Sequence, residues 1–433
     1  MTPTTIGLIG VAALMILIFL RMPVGFVMML VGFVGFSSII NPDAALDLLA
    51  KDVFGVFGSH SLTVIPLFVF MGQLAFHSGM STRLFDTAYK FMGHWPGGLA
   101  IATIGACAGF AAICGSTNAT AATMAAATLP EMKRFNYKPE LATGVVAAGG
   151  SLGILIPPSV IFIVYGVMTE QSIGKLFVAG IAPGILLTFL FVAAVVIWTR
   201  IRPDMGPPGP RFTLKERIAS LSGVGETLLL FVLIMGGLFL GVFTPTEAGA
   251  VGAMGTLLLA LISGHLPWSG LKASFAETTR MSCMILMIVA GATVFGHFLA
   301  VTRIPFDVAG WIAGFDLPPS IVMLFIIGVY LVGGCFMDAL ALIMLTVPIF
   351  FPVVVSLGFD PIWFGVIVVL ITQIGVITPP VGVNVYVVSG VARDVPLQVI
   401  FKGVLPLLLA LVAATLLLVI FPSIALLLPA MMR

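Results

Sequence analysis

The chain has 433 residues, 60% of them hydrophobic and 8% charged, with a mean hydropathy of +1.22 and a formal net charge of +2. A soluble domain carries about three times that charge, and no basic patch is present to bind nucleic acid. Apolar runs of about 20 residues, enough to cross a bilayer, recur along the whole length, so the composition describes an all-α polytopic membrane protein embedded in a lipid bilayer. The alternating short strands of a membrane barrel are absent from the sequence.

In chain order, spans are predicted at about 5–20, 23–40 and 57–80. The first is preceded by no positive charge, so it lacks the basic region of a cleaved signal peptide and reads as a retained helix. Two shorter apolar arms, about 97–113 and 119–130, surround Cys114-Gly115-Ser116-Thr117-Asn118. Spans follow at about 139–169 and 176–199. The Pro-, Gly- and Arg-rich segment 201–222 is the one credible linker, and it divides a first repeat, 1–200, from a second, 223–433. Further spans are expected at about 226–243, 247–264 and 281–300. Two more arms, about 319–333 and 339–356, flank Gly334-Cys335-Phe336-Met337-Asp338, and spans at about 361–392 and 400–430 complete the chain.

Each arm pair could be two full spans or one re-entrant hairpin, and either returns the chain to its starting side. With both termini outside and each arm pair returning to its starting side, only Lys51, Lys175, Arg303 and Arg433 face outward. The remaining 15 of the 19 Lys and Arg residues lie inside, as the positive-inside rule requires. Irregular backbone at membrane depth is tolerated only where protein or a cavity lines it, which fits short arms tipped with Gly and small polar residues. The expected architecture is about ten spanning helices plus two re-entrant hairpins.

Two stretches repeat one another at a fixed offset. Pro130, Pro139, Gly153, Pro157 and Pro158 match Pro352, Pro361, Gly375, Pro379 and Pro380, each 222 residues later; Gly180 and Pro183 match Gly403 and Pro406 at 223. With the charge-derived topology the first hairpin enters from inside and the second from outside, so the repeats are inverted. Matched broken helices point to a transporter binding site at the repeat interface.

The candidate functional residues cluster at the tips and breaks. Gly115-Ser116-Thr117-Asn118 offers oxygen ligands and hydrogen-bond donors with no charge to desolvate, and helix ends meeting at a tip favour a carboxylate. The competing role is small polar residues gluing membrane helices together. At the breaks, Gly149 to Ser159 and Gln373 to Asn384, each Pro-Pro pair frees backbone carbonyls. Hard oxygen ligands of this kind suit a dehydrated Na⁺, with Ser151, Ser159, Thr378 and Asn384 able to add side-chain oxygens; the alternative is a kink that serves packing alone. Asp338 is an intramembrane acid at the second tip, costly and therefore a functional candidate, and equally suited to capping the second arm. Glu247, after Thr244-Pro245-Thr246, reads as a helix cap, and His297 as a satisfied packing histidine rather than a proton relay.

Other chemistry finds little support. Cys107, Cys114, Cys283 and Cys335 lie in apolar segments without paired spacing, against disulfides or a thiolate metal site. His60, His77, His94 and His265 form no metal spacing. There is no Walker loop, no Gly-x-Ser-x-Gly elbow and no His-Glu-x-x-His, so the chain is not expected to be an enzyme.

The chain resembles, over essentially its full length, the large membrane subunit of tripartite ATP-independent periplasmic (TRAP) transporters. The resemblance is carried by Gly115-Ser116-Thr117-Asn118-Ala119-Thr120, Gly153-x-x-x-Pro157-Pro158-Ser159, Thr244-x-Thr246-Glu247-Ala248-Gly249-Ala250 and Thr378-Pro379-Pro380-Val381-Gly382. It implies a subunit of the bacterial inner membrane that takes up an organic acid with Na⁺ as coupling ion. It further implies a periplasmic substrate-binding protein, a separate small four-helix membrane subunit and elevator-like movement of a domain carrying both hairpins. The family's Na⁺ sites would fall, at regional precision, on Gly115, Ser116, Ser151, Gly153, Pro157, Gly334, Thr378, Pro379 and Gly382. Substrate contacts are expected at Ser116, Thr117, Asn118, Asp338 and Asn384. The rival expectation is a stand-alone Na⁺/dicarboxylate symporter of the divalent-anion type, which has a similar hairpin plan and needs no binding protein.

Overall fold

The computed structural model describes residues 2–20, 22–304, 307, 310 and 318–432. The sidedness expected for Arg21 and Arg433 therefore concerns residues outside the described set. Every regular element among the described residues is helical. In chain order these are α1 (Pro3–Phe19), α2 (Val24–Ile39), α3 (Pro42–Phe57), α4 (Val64–His77), α5 (Met80–Met92), α6 (Gly98–Cys114), α7 (Thr117–Arg134), α8 (Pro139–Ser151), α9 (Val160–Met168) and α10 (Ile173–Ile201). They continue with α11 (Leu214–Ser220), α12 (Ser222–Phe239), α13 (Pro245–Ile262), α14 (Trp268–Thr302), α15 (Pro319–Gly334), α16 (Ala339–Ser356), α17 (Pro361–Ile377), α18 (Val383–Val391), α19 (Leu397–Ile420) and α20 (Ser423–Ala430).

Seven helical segments among the described residues are long and apolar enough to cross a membrane, α10, α13, α14, α16 and α19 among them. α1, α2, α6, α15 and α17 are equally apolar but shorter. The helices match the expected spans with instructive differences. The span expected at 139–169 is two helices, α8 and α9, separated by a short 3₁₀ turn and the irregular segment around Pro157-Pro158; the span expected at 361–392 is likewise α17 and α18 around Pro379-Pro380. The last span ends at Ile420, and α20 follows after Pro422.

Three helices fall where no span was expected: α3, α5 and the short α11 within the segment read as the linker. α3 starts at Asn41, whose side chain accepts the Ala44 N–H at 2.7 Å, a standard N-cap. It buries Ala45, Asp52 and Val56 and exposes Asp43, Asp47 and Lys51, the single stripe of a surface helix. α5 carries Arg83, Asp86 and Lys90, too many charges for a hydropathy signal. α14 runs for 35 residues, Trp268–Thr302, longer at its start than the apolar window 281–300, because its first turns are polar.

Small residues set the helix packing, as bilayers demand. Gly144 of α8 and Gly403 of α19 touch backbone to backbone: a Cβ on Gly144 would lie 2.3 Å from the Gly403 carbonyl. α19 packs on α8, α10 and α17, placing the Gly403 region beside both broken helices. The outward faces of α10 and α19 are aliphatic and exposed at Ile185, Phe189, Leu409 and Leu416, a surface matched to lipid.

Candidate functional site

Each hairpin tip rests on the break of the helix that follows it. α6 ends at Gly115 with φ +65°, and a Cβ there would lie 2.6 Å from the Pro158 carbonyl oxygen; glycine meets both the left-handed turn and the contact. Ser116 then caps α7, its Oγ accepting the Ala119 N–H at 3.4 Å. A Cβ on Gly153 would lie 2.5 Å from the Ser116 carbonyl oxygen, and Thr120 Oγ1 donates to that same oxygen at 2.8 Å. The second unit repeats the contact: a Cβ on Gly375 would lie 2.3 Å from the carbonyl carbon of Gly334, and Val381 N–H donates to the Cys335 carbonyl at 3.3 Å. The tips thus reach the middle of the broken helices, which is the geometry of re-entrant hairpins.

The two broken helices also meet each other through polar side chains. Ser151 Oγ donates to the Ala148 carbonyl at 2.7 Å and to Gln373 Oε1 at 3.4 Å. Asn384 Nδ2 donates to the Ala147 carbonyl at 3.0 Å. Ala147 and Ser151 are four residues apart, hence on one face of α8, so that face receives Gln373 of α17 and Asn384 of α18. All three side chains are fully buried, yet Gln373 Nε2 and Asn384 Oδ1 have no partner. A buried polar atom without a hydrogen bond costs about 1–3 kcal/mol, more where no water reaches it. The pair offers one free donor and one free hard acceptor at the repeat contact.

Ser151 and Asn384 therefore come together, while Gly115, Ser116, Gly153 and Gly334 form the tip-to-break contacts. Pro157 is buried and Pro379 exposed, so the first break is enclosed and the second open. Thr378 Oγ1 is turned back to the Ile374 carbonyl, and Gly382 begins α18 with φ +59°. Thr117 Oγ1 donates to Asn118 Oδ1 at 3.4 Å, with Asn118 exposed at the tip. Asp338 is exposed and caps α16, accepting the Leu340 N–H at 3.1 Å, the capping role weighed for it. Glu247 closes a reciprocal capping box with Thr244.

Sequence reasoning passed over two groups. Gln373 stood inside the quoted break but was not singled out; its position 222 residues after Ser151 was the available signal. His297 is satisfied, as expected, but not alone: its Nδ1 lies 2.8 Å from Asp52 Oδ2. That partner was invisible because α3 itself was not anticipated. No group of three or more His, Cys, Asp and Glu side chains able to hold a transition metal occurs among the described residues.

Residues 11–424 match the family described as "Tripartite ATP-independent periplasmic transporter, DctM component". The chain is 38% identical over 392 residues to the C4-dicarboxylate TRAP transporter large permease protein DctM of Pseudomonas aeruginosa, covering 90% of this chain and 91% of that one. It is 34% identical over 414 residues to the sialic acid TRAP transporter large permease protein SiaM of Vibrio cholerae, covering 95% and 96%. Among solved structures, the Alcanivorax borkumensis YdaH transporter superposes with a TM-score of 0.64 at 15% identity, covering 90% of this chain and 89% of that one, a likeness of fold alone. The proline-broken helices, the two tips seated on them and these relatives agree, and the chain belongs to the tripartite ATP-independent periplasmic transporter family as a DctM component, a large permease subunit.

Proposed function

We propose that this permease imports an organic acid across the bacterial inner membrane, coupled to Na⁺, with a periplasmic binding protein delivering the acid and a small four-helix membrane subunit packed beside it. The observation that carries the proposal is the meeting of the two tip-and-break units at Ser151, Gln373 and Asn384, where two buried polar atoms lack partners. Asn384 Oδ1 and Ser151 Oγ are hard oxygens suited to Na⁺, joined by carbonyls freed at Gly153–Pro157 and Thr378–Gly382. The N-terminus of α7 at Ser116, Thr117 and Asn118 presents N–H groups to a carboxylate. Asp338, exposed at the second tip, meets the polar groups of the acid. The printed substrates of the two relatives, a C4-dicarboxylate and sialic acid, are both carboxylates, which supports the same class here. Because each tip is welded to its break by backbone contact, the two units are suited to move as one body against the remaining helices, an elevator motion, with both chain ends on the periplasmic side.

The test is uptake of a mixed pool of labelled organic acids into proteoliposomes, with and without an inward Na⁺ gradient, adding the small subunit and the binding protein in turn. Uptake that needs Na⁺ and both partners is the expected result. Na⁺-driven uptake by this chain alone would instead make it a stand-alone symporter, and uptake indifferent to Na⁺ would remove the coupling ion.

A further inference from the structure

Gln73 sits in the interior of the apolar helix α4, is 7% exposed, and belongs to neither hairpin nor break. Its Nε2 donates to Met281 Sδ of α14 at 3.4 Å, and its Oε1 is buried without any partner. A thioether sulfur is an acceptor only, so the nitrogen must face Met281 and the oxygen must face away from it. The small space beside Gln73 is about 10 Å³ and is lined by Met281 and by Cys114, Ser116 and Ala119 of the first hairpin tip. The approach is close: a Cβ on the neighbouring Gly72 would lie 3.0 Å from Cys114 Cα. Gln73, whose Oε1 is buried and unpartnered, thus lines the same small space as Ser116, the cap at the N-terminus of α7.

The two groups have complementary chemistry. The first N–H groups of an 18-residue helix favour a carboxylate. An amide oxygen beside them repels a second carboxylate oxygen and accepts from a hydroxyl. We infer that Gln73 is a substrate-contacting residue that selects hydroxylated carboxylic acids: the carboxylate docks on the α7 N-terminus and a hydroxyl near it donates to Gln73 Oε1. The space as it stands has the size of one water, so the acid enters as the tip draws away from α4, and the hydroxyl satisfies the orphaned oxygen at that moment. A site built to receive a hydroxyl rejects the analogue that lacks it, because its polar atom is then left unpaired. The inference rests on the transport reading and on the first tip as the carboxylate site.

The experiment is Na⁺-driven uptake by the complete complex in proteoliposomes, with malate against succinate and lactate against propionate as paired probes. Wild type is expected to favour the hydroxylated member of at least one pair about tenfold or more. Gln73→Met, which keeps side-chain length and packing, should erase that preference by raising KM for the hydroxylated acid relative to that for the unsubstituted acid. Met281→Leu removes the sulfur but not the amide, and should retain the preference. No preference in wild type, a preference kept by Gln73→Met, or an equal loss in Met281→Leu would each overturn the inference. Uptake of some other acid but neither pair would overturn it while leaving the transport reading standing; no Na⁺-driven uptake of any acid would overturn both.

Discussion

Ser151 Oγ lies 3.4 Å from Gln373 Oε1, and the two residues are separated by 222 positions, the offset that relates Pro157 to Pro379. On the inverted-repeat reading, a residue in contact with its own repeat counterpart stands on the axis that would relate the repeats. On the Na⁺ reading, Gln373→Met keeps the volume and removes the amide whose Oε1 accepts from Ser151 Oγ, so orienting that oxygen toward the ion, and whose Nε2 is orphaned. The expected outcome is a rise of about tenfold in the Na⁺ concentration for half-maximal uptake, equivalent to about 1.4 kcal/mol, with thermal stability unchanged or slightly higher because an unsatisfied buried group is gone. Uptake assayed across a Na⁺ series checks it; an unmoved Na⁺ dependence would leave the pair as helix packing.

Gly153 and Gly375 are the contact points between breaks and tips, and in both cases an added Cβ meets backbone that cannot rotate away. Gly153→Ala and Gly375→Ala should each cost about 1–3 kcal/mol through overpacking and should lower uptake more than stability, by pushing a tip off its break. Gly236→Ala, with nothing within 4 Å of the added carbon, should be neutral or stabilise by about 0.5–1 kcal/mol. Melting temperatures and initial uptake rates of the three variants separate these cases.

The symmetric frame was legible because proline and glycine keep their positions where backbone geometry requires them. Pro157-Pro158 and Pro379-Pro380 located both breaks, and Gly115 and Gly334 located both tips, since neither role tolerates substitution by larger residues. α3 and α5 were missed because a hydropathy window sees spans, whereas a half-buried helix carrying Asp43, Asp47 and Lys51 averages to nothing. Side-chain partnerships were the least legible. Asn384 was picked for its polarity, but that its amide would reach Ala147 across 237 residues depends on how α18 folds back after Gly382.

Asp52 and His297 form a pair whose members differ in solvent access, 9% and 47% exposed at the side chain. Removing the histidine strands a buried carboxylate, while removing the aspartate leaves a half-exposed imidazole that water can satisfy. His297→Leu should therefore destabilise by about 1–3 kcal/mol and Asp52→Leu by less than about 1 kcal/mol. The double variant should recover most of the loss, the non-additivity expected of contacting residues. Thermal melts of the three variants in detergent test the ordering, and equal single-variant effects would show that the pair does not anchor α3 to α14.

Glu216 lies outside the spans, in a reciprocal capping box at the start of α11, and hydrogen bonds from the Thr213 hydroxyl and backbone N–H hold its carboxyl below the usual range. A depressed folded pKa means its contribution is fully present above the unfolded value near 4.3 and is lost as pH falls through the folded one. The melting difference between wild type and Glu216→Gln should thus be constant from neutral pH down to about 5 and should shrink progressively as pH falls below the unfolded value. A difference that does not shrink with falling pH would show that the carboxylate's charge is not what the cap uses.

Asp338 combines two roles that one substitution can separate. Its Oδ2 accepts the Leu340 N–H, and asparagine serves an N-cap as well as aspartate does, whereas alanine costs about 1 kcal/mol. Asp338→Asn therefore preserves α16 while deleting the charge at the tip, and Asp338→Ala deletes both. If the carboxylate meets the polar groups of the acid, Asp338→Asn should lower uptake at least about tenfold with an unchanged melting temperature, and Asp338→Ala should add a loss of stability. If the residue only caps, Asp338→Asn should transport like wild type, and the tip's contribution would pass to the α16 N-terminus itself. Uptake rates set beside melting temperatures for the two variants distinguish the outcomes, because the cap appears in both readouts and the charge in only one.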